Sequence, residues 1–128
     1  MKRETKLWIE KADYDLETAE AMFQSSRYLY VAFACQQAVE KYLKAIIQEQ
    51  TNILPPYIHN LPSLAKLTEI NFEEKQIEFL ILLTQYYLNT RYIDFKQKLL
   101  EGINKGKASD CLKKTKEIVT CLKKELKI

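Results

Sequence analysis

The chain has 128 residues, a length that suits one domain with a single hydrophobic core. It is 47% hydrophobic and 29% charged, with only two glycines and three prolines, which disfavours a fold of many strands and turns. Its net charge of +3 is too small to predict a surface for nucleic acid or for an anionic membrane. We therefore expect one helical domain over residues 1–128.

Two features of the sequence predict a cytoplasmic location. The segment Met1 to Lys11 is charged throughout, unlike a signal peptide, and no apolar run approaches the roughly 20 residues that a membrane span needs. The cysteines Cys35, Cys111 and Cys121 are odd in number and widely spaced, and each falls within an apolar helical pattern. We interpret them as buried free thiols in a reducing compartment.

The first two predicted helices follow from apolar residues at helical spacing. A period of three and four residues over about Thr5 to Gln24 predicts an amphipathic first helix. Its apolar positions are Trp8, Ala12, Leu16, Ala19, Met22 and Phe23. Ser25 and Ser26 interrupt the pattern. The next helix has a wider apolar stripe, which predicts that it is the central one. That stripe comprises Tyr28, Val31, Ala32, Cys35, Ala38, Val39, Tyr42, Leu43, Ile46 and Ile47.

A loop is predicted at residues 51–60. Pro55 and Pro56 lack backbone donors and disfavour helical geometry in the residue before them. Asn60 is then predicted to cap a short third helix, with Pro62 tolerated in its first turn. The inward-facing positions of that helix are Leu61, Leu64, Ala65 and Leu67.

The rest of the sequence predicts two further helices. The fourth covers Asn71 to Tyr92 and ends around Arg91, with Asn71 as its cap. Its predicted stripe is Phe72, Ile77, Leu80, Ile81, Tyr87 and Leu88. Gly102 and Gly106 are expected to bracket a flexible connection to the last helix. The apolar positions of the last helix are Ala108, Cys111, Leu112, Thr115, Ile118, Val119, Leu122 and Leu126. Such helices must bury their stripes against one another, so we expect an all-α, up-and-down bundle of about five helices.

Side chains able to perform catalysis are scarce in this sequence. The one histidine is His59, and the nearest cysteine, Cys35, belongs to the central apolar stripe, so no zinc site is predicted. Two isolated glycines cannot form a phosphate-binding loop, so no cofactor is predicted. The ring of His59 can bond to a loop carbonyl and fix the crossover, or it can act as a general base or phosphate contact at a helix start.

A run of aromatic, cationic and acidic residues, Tyr-Tyr-Leu-Asn-Thr-Arg-Tyr-Ile-Asp, lies near the end of the fourth helix. Its arginine, Arg91, could hold a phosphate bidentately while Tyr87 and Tyr92 stack a base. Alternatively, Arg91 pairs with Asp94 or with Asp15 of the first helix, and the tyrosines are half-buried packing residues.

Polar residues flank the apolar stripe of the second helix. Glu40 and Lys44 are one turn apart in the order that favours an ion pair, worth about 0.3–0.5 kcal/mol on an exposed face. Gln36 and Gln37 lie close to the stripe. At least one of these two amides is therefore expected to approach the interior, where it needs hydrogen-bond partners.

In this order and spacing, the residues resemble the HEPN domain family. The resemblance covers nearly the whole chain. The matching elements are Trp8, Ala12, Asp15-Leu16 and Ala19, then the run Cys35 to Ala45, then His59-Asn60-Leu61, then Thr90-Arg91-Tyr92-Ile93-Asp94.

The resemblance implies an up-and-down helical bundle, often dimeric and commonly the partner of a minimal nucleotidyltransferase in two-component prokaryotic systems. Nucleotide binding is proposed in the family's name. The candidate ligand- or partner-binding residues are Arg91, Tyr92, Asp94, Tyr87, His59, Gln37 and Lys41. We expect a non-catalytic module that binds a nucleotide or such a partner.

Some members of the family are metal-independent ribonucleases that act as toxins, with an arginine followed four to six residues later by a histidine. Here Arg91 is followed by Tyr-Ile-Asp-Phe-Lys-Gln, so that motif is absent. The usual proline between the tyrosine and the aspartate is Ile93, which softens the turn. The alternative function is a divergent ribonuclease toxin of a toxin-antitoxin pair, in which Arg91 and His59 meet in space.

Self-association is also expected, because the chain has more aromatic surface than one core should absorb. The aromatic residues assigned to that surface are Tyr28, Tyr30, Phe33, Phe79 and Tyr86.

Overall fold

The computed structural model describes residues 1–91 and 102–128, and the side chains of residues 1–88 and 102–128. The described residues form five α-helices and no strand. The helices are α1 (Arg3–Gln24), α2 (Tyr28–Gln50), α3 (Leu61–Lys66), α4 (Glu74–Arg91) and α5 (Lys105–Glu125). This confirms the predicted all-α bundle. Within the described part of the chain, no helix is long and apolar enough to cross a membrane.

Helix α2 is the centre of the fold. It contacts α1, α3, α4 and α5, and smaller contacts join α3 to α4 and α1 to α5. Its side chains at Tyr42, Leu43 and Ile47 are completely buried. Burying a large aliphatic side chain stabilises a fold by roughly 1.5–3 kcal/mol, so the wide stripe of α2 organises the core. The prediction of a central second helix is confirmed.

A tight turn reverses the chain between α1 and α2. Ser26 has a φ of 62°, in the left-handed region, and the Arg27 N–H donates to the Met22 carbonyl at 2.8 Å. This bond satisfies one of the last carbonyls of α1. The reversal lays α1 antiparallel to α2, and Ala12 and Ala19 are completely buried between the helices. Their small side chains allow the two backbones to approach closely.

Hydrogen bonds to Glu49 join the start of α1 to the end of α2. The Glu49 Oε1 atom accepts from the Lys2 backbone N–H at 3.0 Å and from the Thr5 hydroxyl at 2.9 Å. These donors favour the ionised carboxylate, so they hold the pKa of Glu49 below its usual value, the backbone bond from Lys2 contributing most. The Lys2 ammonium also donates to the carbonyls of Gln48 and Thr51, each at 2.9 Å.

Side-chain caps fix the starts of α3 and α5. The Asn60 Oδ1 atom accepts from the Ser63 N–H at 2.9 Å, which confirms the predicted cap of α3. Asn104 caps α5 in the same way, accepting from the Lys107 N–H at 2.9 Å. Gly106 therefore lies within the first turn of α5. The prediction that it borders a flexible connection was wrong, because the capping signal of Asn104 was missed.

Helix α4 differs from the prediction in its start and in its buried face. The Glu73 carbonyl accepts the first helical bond, from the Ile77 N–H at 3.0 Å, so Asn71 is not the cap. The predicted core residues Ile81 and Leu88 are each 44% exposed. Because α4 packs against both α2 and α3, its buried face is broader and is centred elsewhere. The buried residues are Phe79, Leu80, Leu83, Thr84, Tyr86 and Tyr87.

The apolar face of α5 agrees with the prediction at all eight positions, from Ala108 to Leu126. The cysteines agree in part. Cys35 and Cys111 are buried free thiols, but Cys121 is exposed, since it lies just outside the stripe that ends in Leu122 and Leu126. Contact with Cys35 and burial raise the pKa of the Cys111 thiol, so that thiol stays protonated and unreactive.

The aromatic surface expected to drive self-association is largely absent. Phe79 and Tyr86 are each only 8% exposed and belong to the core, and burial raises the pKa of the Tyr86 hydroxyl. Tyr28 and Phe33 are half-buried, which leaves Tyr30, at 49%, as the exposed member of the set. The core absorbs more aromatic surface than we expected, because α4 is buried on more than one side.

Replacing Glu49 with glutamine should lower the melting temperature at about pH 7. The pKa of Glu49 is lowered in the folded state, so its stabilising effect is present above its ordinary value of 4.5 and is lost as the pH falls through the folded pKa. The difference between E49Q and wild type should therefore narrow as the pH falls below that ordinary value and should close once the pH is below the lowered pKa of the folded state. Thermal unfolding followed by circular dichroism measures both effects.

The matched control for this experiment is Glu10→Gln, on the exposed side of α1. It should melt with the wild type at every pH. A difference between E49Q and wild type that persists unchanged in acid would contradict the role given to the Glu49 carboxylate.

Candidate functional site

A buried carboxylate, Glu40 of α2, forms the centre of the candidate site. The residue is 3% exposed. Its Oε1 atom accepts from Gln36 Nε2 at 3.1 Å and from His59 Nδ1 at 2.8 Å, and its Oε2 atom accepts from Lys44 Nζ at 3.0 Å. Because a carboxylate only accepts, the imidazole hydrogen lies on Nδ1. The three donors compensate the cost of burying this charge.

The helical spacing of α2 explains the arrangement. Gln36, Glu40 and Lys44 are separated by four residues each, so they share one face of the helix. Gln36 is completely buried, and its amide donates both to Glu40 and to the His59 backbone carbonyl, the latter at 3.0 Å. This confirms that one of the two adjacent glutamines enters the interior. The crossover after α2 is thus bonded to α2 through both the backbone and the ring of His59.

The predicted ion pair between Glu40 and Lys44 is confirmed, but the exposed face assumed for its strength was wrong, because the pair is buried. The Lys44 and Glu40 side chains are only 6% and 4% exposed. Trp8 of α1 lies against Lys44, whose ammonium is 5.6 Å from the centre of the indole ring, and His59 covers Glu40. The order of residues along α2 predicted the pair, but not the side chains from other elements that bury it.

Aromatic rings continue the site from α2 to α4. The ring of His59 lies 4.7 Å from the ring of Tyr87, tilted by 33°, and Tyr87 stacks on Phe33 at 5.8 Å and 12°. Of the two roles considered for the His59 ring, the bond to a loop carbonyl is not formed, because Nδ1 bonds to the Glu40 carboxylate. About half of the His59 side chain, 49%, is exposed. Its Nε2 atom has no hydrogen-bond partner among the described residues.

The threonine Thr84 holds the same segment from the other side, and no pattern in the sequence pointed to it. Its hydroxyl accepts from the Leu61 N–H at 3.1 Å and donates to the Leu80 carbonyl at 2.9 Å. The segment from His59 to Leu61 is therefore bonded to both α2 and α4. The role of the Thr84 hydroxyl becomes visible only when the packing of α3 against α4 is known.

The remaining predicted site residues fall into two groups. The Gln37 amide donates to the side-chain oxygen of Gln36 at 2.7 Å and so adjoins the network around Glu40. Lys41 instead forms an ion pair with Asp15, one of the residues considered as a partner of Arg91, and it joins α2 to α1. The structure therefore brings Gln37, His59 and Tyr87 together and places Lys41 at a different contact.

The predicted residues Tyr92 and Asp94 lie outside the described residues, as does the side chain of Arg91. The backbone of Arg91 belongs to α4, one helical turn beyond Tyr87. Helix α4 therefore places Tyr87 against the His59 ring and continues for one further turn to Arg91.

The arrangement suits recognition at the exposed edge of His59. Because the imidazole hydrogen on Nδ1 is donated to the carboxylate, Nε2 is left to accept a hydrogen bond from a ligand. In the described part of the chain, no three histidine, cysteine, aspartate or glutamate side chains are grouped as metal ligands would be.

The fold and this network together define a small helical-bundle domain in which a Gln–Glu–His cluster anchors the crossover. The sequence profile of the HEPN domain matches residues 5–126, and the chain belongs to the HEPN domain family. No curated protein sequence matches the chain.

Two solved structures are similar over nearly their whole length. TT1696 from Thermus thermophilus has a TM-score of 0.86 and 22% sequence identity, covering 97% of this chain and 99% of that one. ST0689, described as an archaeal HEPN homologue, has a TM-score of 0.77 and 25% identity, covering 98% of each chain. Both likenesses support the fold described above.

Replacing Glu40 with leucine should reduce the free energy of unfolding by about 3 kcal/mol or more, because Lys44 is left buried without its carboxylate. The double variant Glu40→Leu/Lys44→Met should recover much of that loss, since neither charge then remains buried. Urea unfolding followed by circular dichroism gives both values.

The control is Asp110→Asn, which breaks an ion pair of the same spacing and order in α5. There Lys114 and Asp110 are 51% and 59% exposed, so the change should be below about 0.5 kcal/mol. Equal losses in E40L and D110N would show that burial does not set the strength of the Glu40 pair.

Proposed function

We propose that this HEPN domain is a non-catalytic binding module that works with a minimal nucleotidyltransferase. Under this proposal, the surface at His59 and the last turn of α4, with Arg91, contacts that partner or a nucleotide that it handles. The observation that supports it most is the state of Glu40, whose carboxylate is buried and bonded to three donors. Such a group holds His59 in position.

The charge of Lys44 is the second argument for binding rather than catalysis. A carboxylate behind a histidine assists acid–base chemistry by stabilising the imidazolium that forms during reaction. Here the Lys44 ammonium lies 3.0 Å from the same carboxylate, which it shares with Gln36 and His59. The network is therefore better suited to holding the imidazole ring in position and offering Nε2 to a ligand.

The proposed surface combines the exposed edge of His59 with the chain beyond Tyr87. Tyr87 is only 5% exposed, so we assign it the role of supporting the imidazole ring by packing against it. Arg91, one turn further along α4, is the candidate for the charged contact, since a guanidinium can hold a phosphate or a carboxylate through two parallel bonds.

The variant His59→Asn separates binding from folding. The asparagine amide can still donate to Glu40 from about the position of Nδ1, but the variant lacks Nε2. We expect H59N and Arg91→Ala to weaken binding of the co-expressed nucleotidyltransferase roughly tenfold or more, with little change in melting temperature. Isothermal titration with the purified partner measures the affinity.

Arg27→Ala is the matched control for the arginine substitution, because Arg27 is exposed at the start of α2. It should leave the affinity unchanged. A large loss of stability in R91A together with wild-type affinity would refute the assignment of Arg91 to the binding surface.

A second candidate function, a divergent metal-independent ribonuclease, rests on one observation. His59 has Nδ1 on a carboxylate and a Nε2 atom without a partner among the described residues, which is the orientation of a general base. Helix α4 also carries the backbone of Arg91 to within one turn of Tyr87, which contacts His59.

The two functions predict opposite results in one assay. A ribonuclease of this kind should cut single-stranded RNA in the presence of EDTA and lose that activity in His59→Ala. The binding module should leave the RNA intact. Cleavage that is equal in wild type and H59A would come from a contaminant and would exclude the ribonuclease.

A further inference from the structure

A recess of about 300 Å³ lies between α1 and the loop that follows α2. Side chains from α1 and from the loop form most of its lining, and α2 contributes the side chain of Lys44. Protein sites for small molecules begin at about this volume. The size of the recess therefore suits a small molecule.

The walls formed by α1 and the loop are apolar and open to solvent. Leu7 of α1 is 48% exposed, Leu54 of the loop is 81% exposed, and Tyr57 is fully exposed at 101%. All three line the recess together with the half-buried ring of Trp8. An apolar group lying among them would remove this surface from water, which favours binding.

The loop is held in a defined position against which a ligand can pack. The Ile58 N–H donates to the Pro56 carbonyl at 2.9 Å, which closes a tight turn with Tyr57 at its apex. The two ends of the loop are bonded as well, at the Thr51 carbonyl and at His59. A preorganised wall of this kind loses little conformational entropy when a ligand binds.

The ammonium of Lys44 is the buried polar group of the recess, with its side chain only 6% exposed. A lysine has three N–H donors, and among the described residues this one makes a single hydrogen bond, to Glu40 Oε2 at 3.0 Å. A nearly buried donor without an acceptor is costly. An oxygen ligand in the recess would accept from the donors that remain.

Unpaired charges on α1 give the recess a direction. Glu40 neutralises Lys44, whereas Lys11 and Glu4 form no ion pair with any residue that the structure describes. Both line the recess, two turns and about 10 Å apart along the helix. An anionic group is therefore favoured at the Lys11 end and disfavoured at the Glu4 end.

The packing of α1 on α2 places Lys44 at the end of the recess where Lys11 lies. The Thr5 hydroxyl bonds to Glu49, which fixes the register of the two antiparallel helices. Because both helices rise by the same distance per residue, Lys44 lies opposite the turn of α1 that contains Lys11. The free donors of Lys44 and the unpaired charge of Lys11 thus favour an anion at the same point.

We propose that this recess binds a small monocarboxylic acid whose apolar body is about the size of a phenyl ring. The carboxylate accepts from Lys44 beside Lys11, and the apolar body lies between Leu7 and Tyr57. The buried ion pair behind Lys44 separates the recess from the exposed edge of His59. The proposal therefore goes beyond the proposed function, because it concerns a different surface and a different ligand.

A pair of ligands that differ only in charge tests the proposal. Hydrocinnamate, a phenyl ring on a propionate chain, is the probe, and its neutral amide is the matched ligand. Isothermal titration at about pH 7 should show that the wild type binds the acid roughly tenfold more tightly than the amide, because only the acid offers Lys44 a charged acceptor. Trp8 is the one tryptophan of the chain and lines the recess, so its fluorescence should change as hydrocinnamate binds.

Three variants separate the contributions of charge and apolar surface. Glu40→Leu/Lys44→Met should lose most of the preference for the acid, because it lacks the ammonium but leaves no buried charge unpaired. Lys11→Ala should weaken binding of the acid roughly threefold and leave the amide unchanged. Tyr57→Ala removes a fully exposed side chain, so it should keep the fold, and it should weaken both ligands roughly fivefold.

The matched controls lie outside the recess. Asp110→Leu/Lys114→Met removes the exposed ion pair of α5 by similar changes, and Tyr30→Ala truncates a tyrosine that is 49% exposed. Both should bind the two ligands as the wild type does. A wild type that fails to bind hydrocinnamate, equal affinity for acid and amide, or an undiminished preference for the acid in E40L/K44M would each overturn the proposal. These results do not depend on partner binding at His59, so the two proposals can fail separately.

Discussion

A charged carboxylate inside the bundle determines how the elements around it are arranged. Glu40 is buried, so its charge must be compensated by groups that reach it from within the protein. Gln36 and Lys44 do so from the neighbouring turns of α2, and His59 does so from the crossover. If the crossover moved away from α2, the buried Glu40 carboxylate would lose its hydrogen bond from His59. The chain that leads into α3 and α4 is therefore fixed at the point where the candidate site is formed.

The sequence predicted the parts of the fold that depend on local pattern. The wide stripe of α2, the stripe of α5 and the cap at Asn60 were all correct, because helical period and capping chemistry are properties of neighbouring residues. The face of α4 was predicted less well. Because α4 packs against two other helices, it buries residues on more than one side. Ile81 and Leu88 fit the helical spacing of the predicted stripe, but both are exposed.

The sequence analysis named several residues of the candidate site, but it did not predict the hydrogen bonds that join them. His59 and the glutamines were singled out, yet the bond from His59 to Glu40 joins residues on different elements and has no local signal. The same holds for Thr84. Its position within α4 gives no local signal that its hydroxyl accepts from the Leu61 N–H at the start of α3. Membership of the HEPN family accounts for the fold, whereas function depends on side chains at particular sites.

The network around Glu40 also constrains how this sequence can change over evolutionary time. Loss of Glu40 leaves a buried ammonium, and loss of Lys44 or His59 leaves a buried carboxylate with fewer donors. Single replacements at these positions are costly, whereas a concerted replacement by apolar residues of similar volume can be neutral. Related sequences should therefore keep this set of residues together or lose it together, and intermediate combinations should be rare.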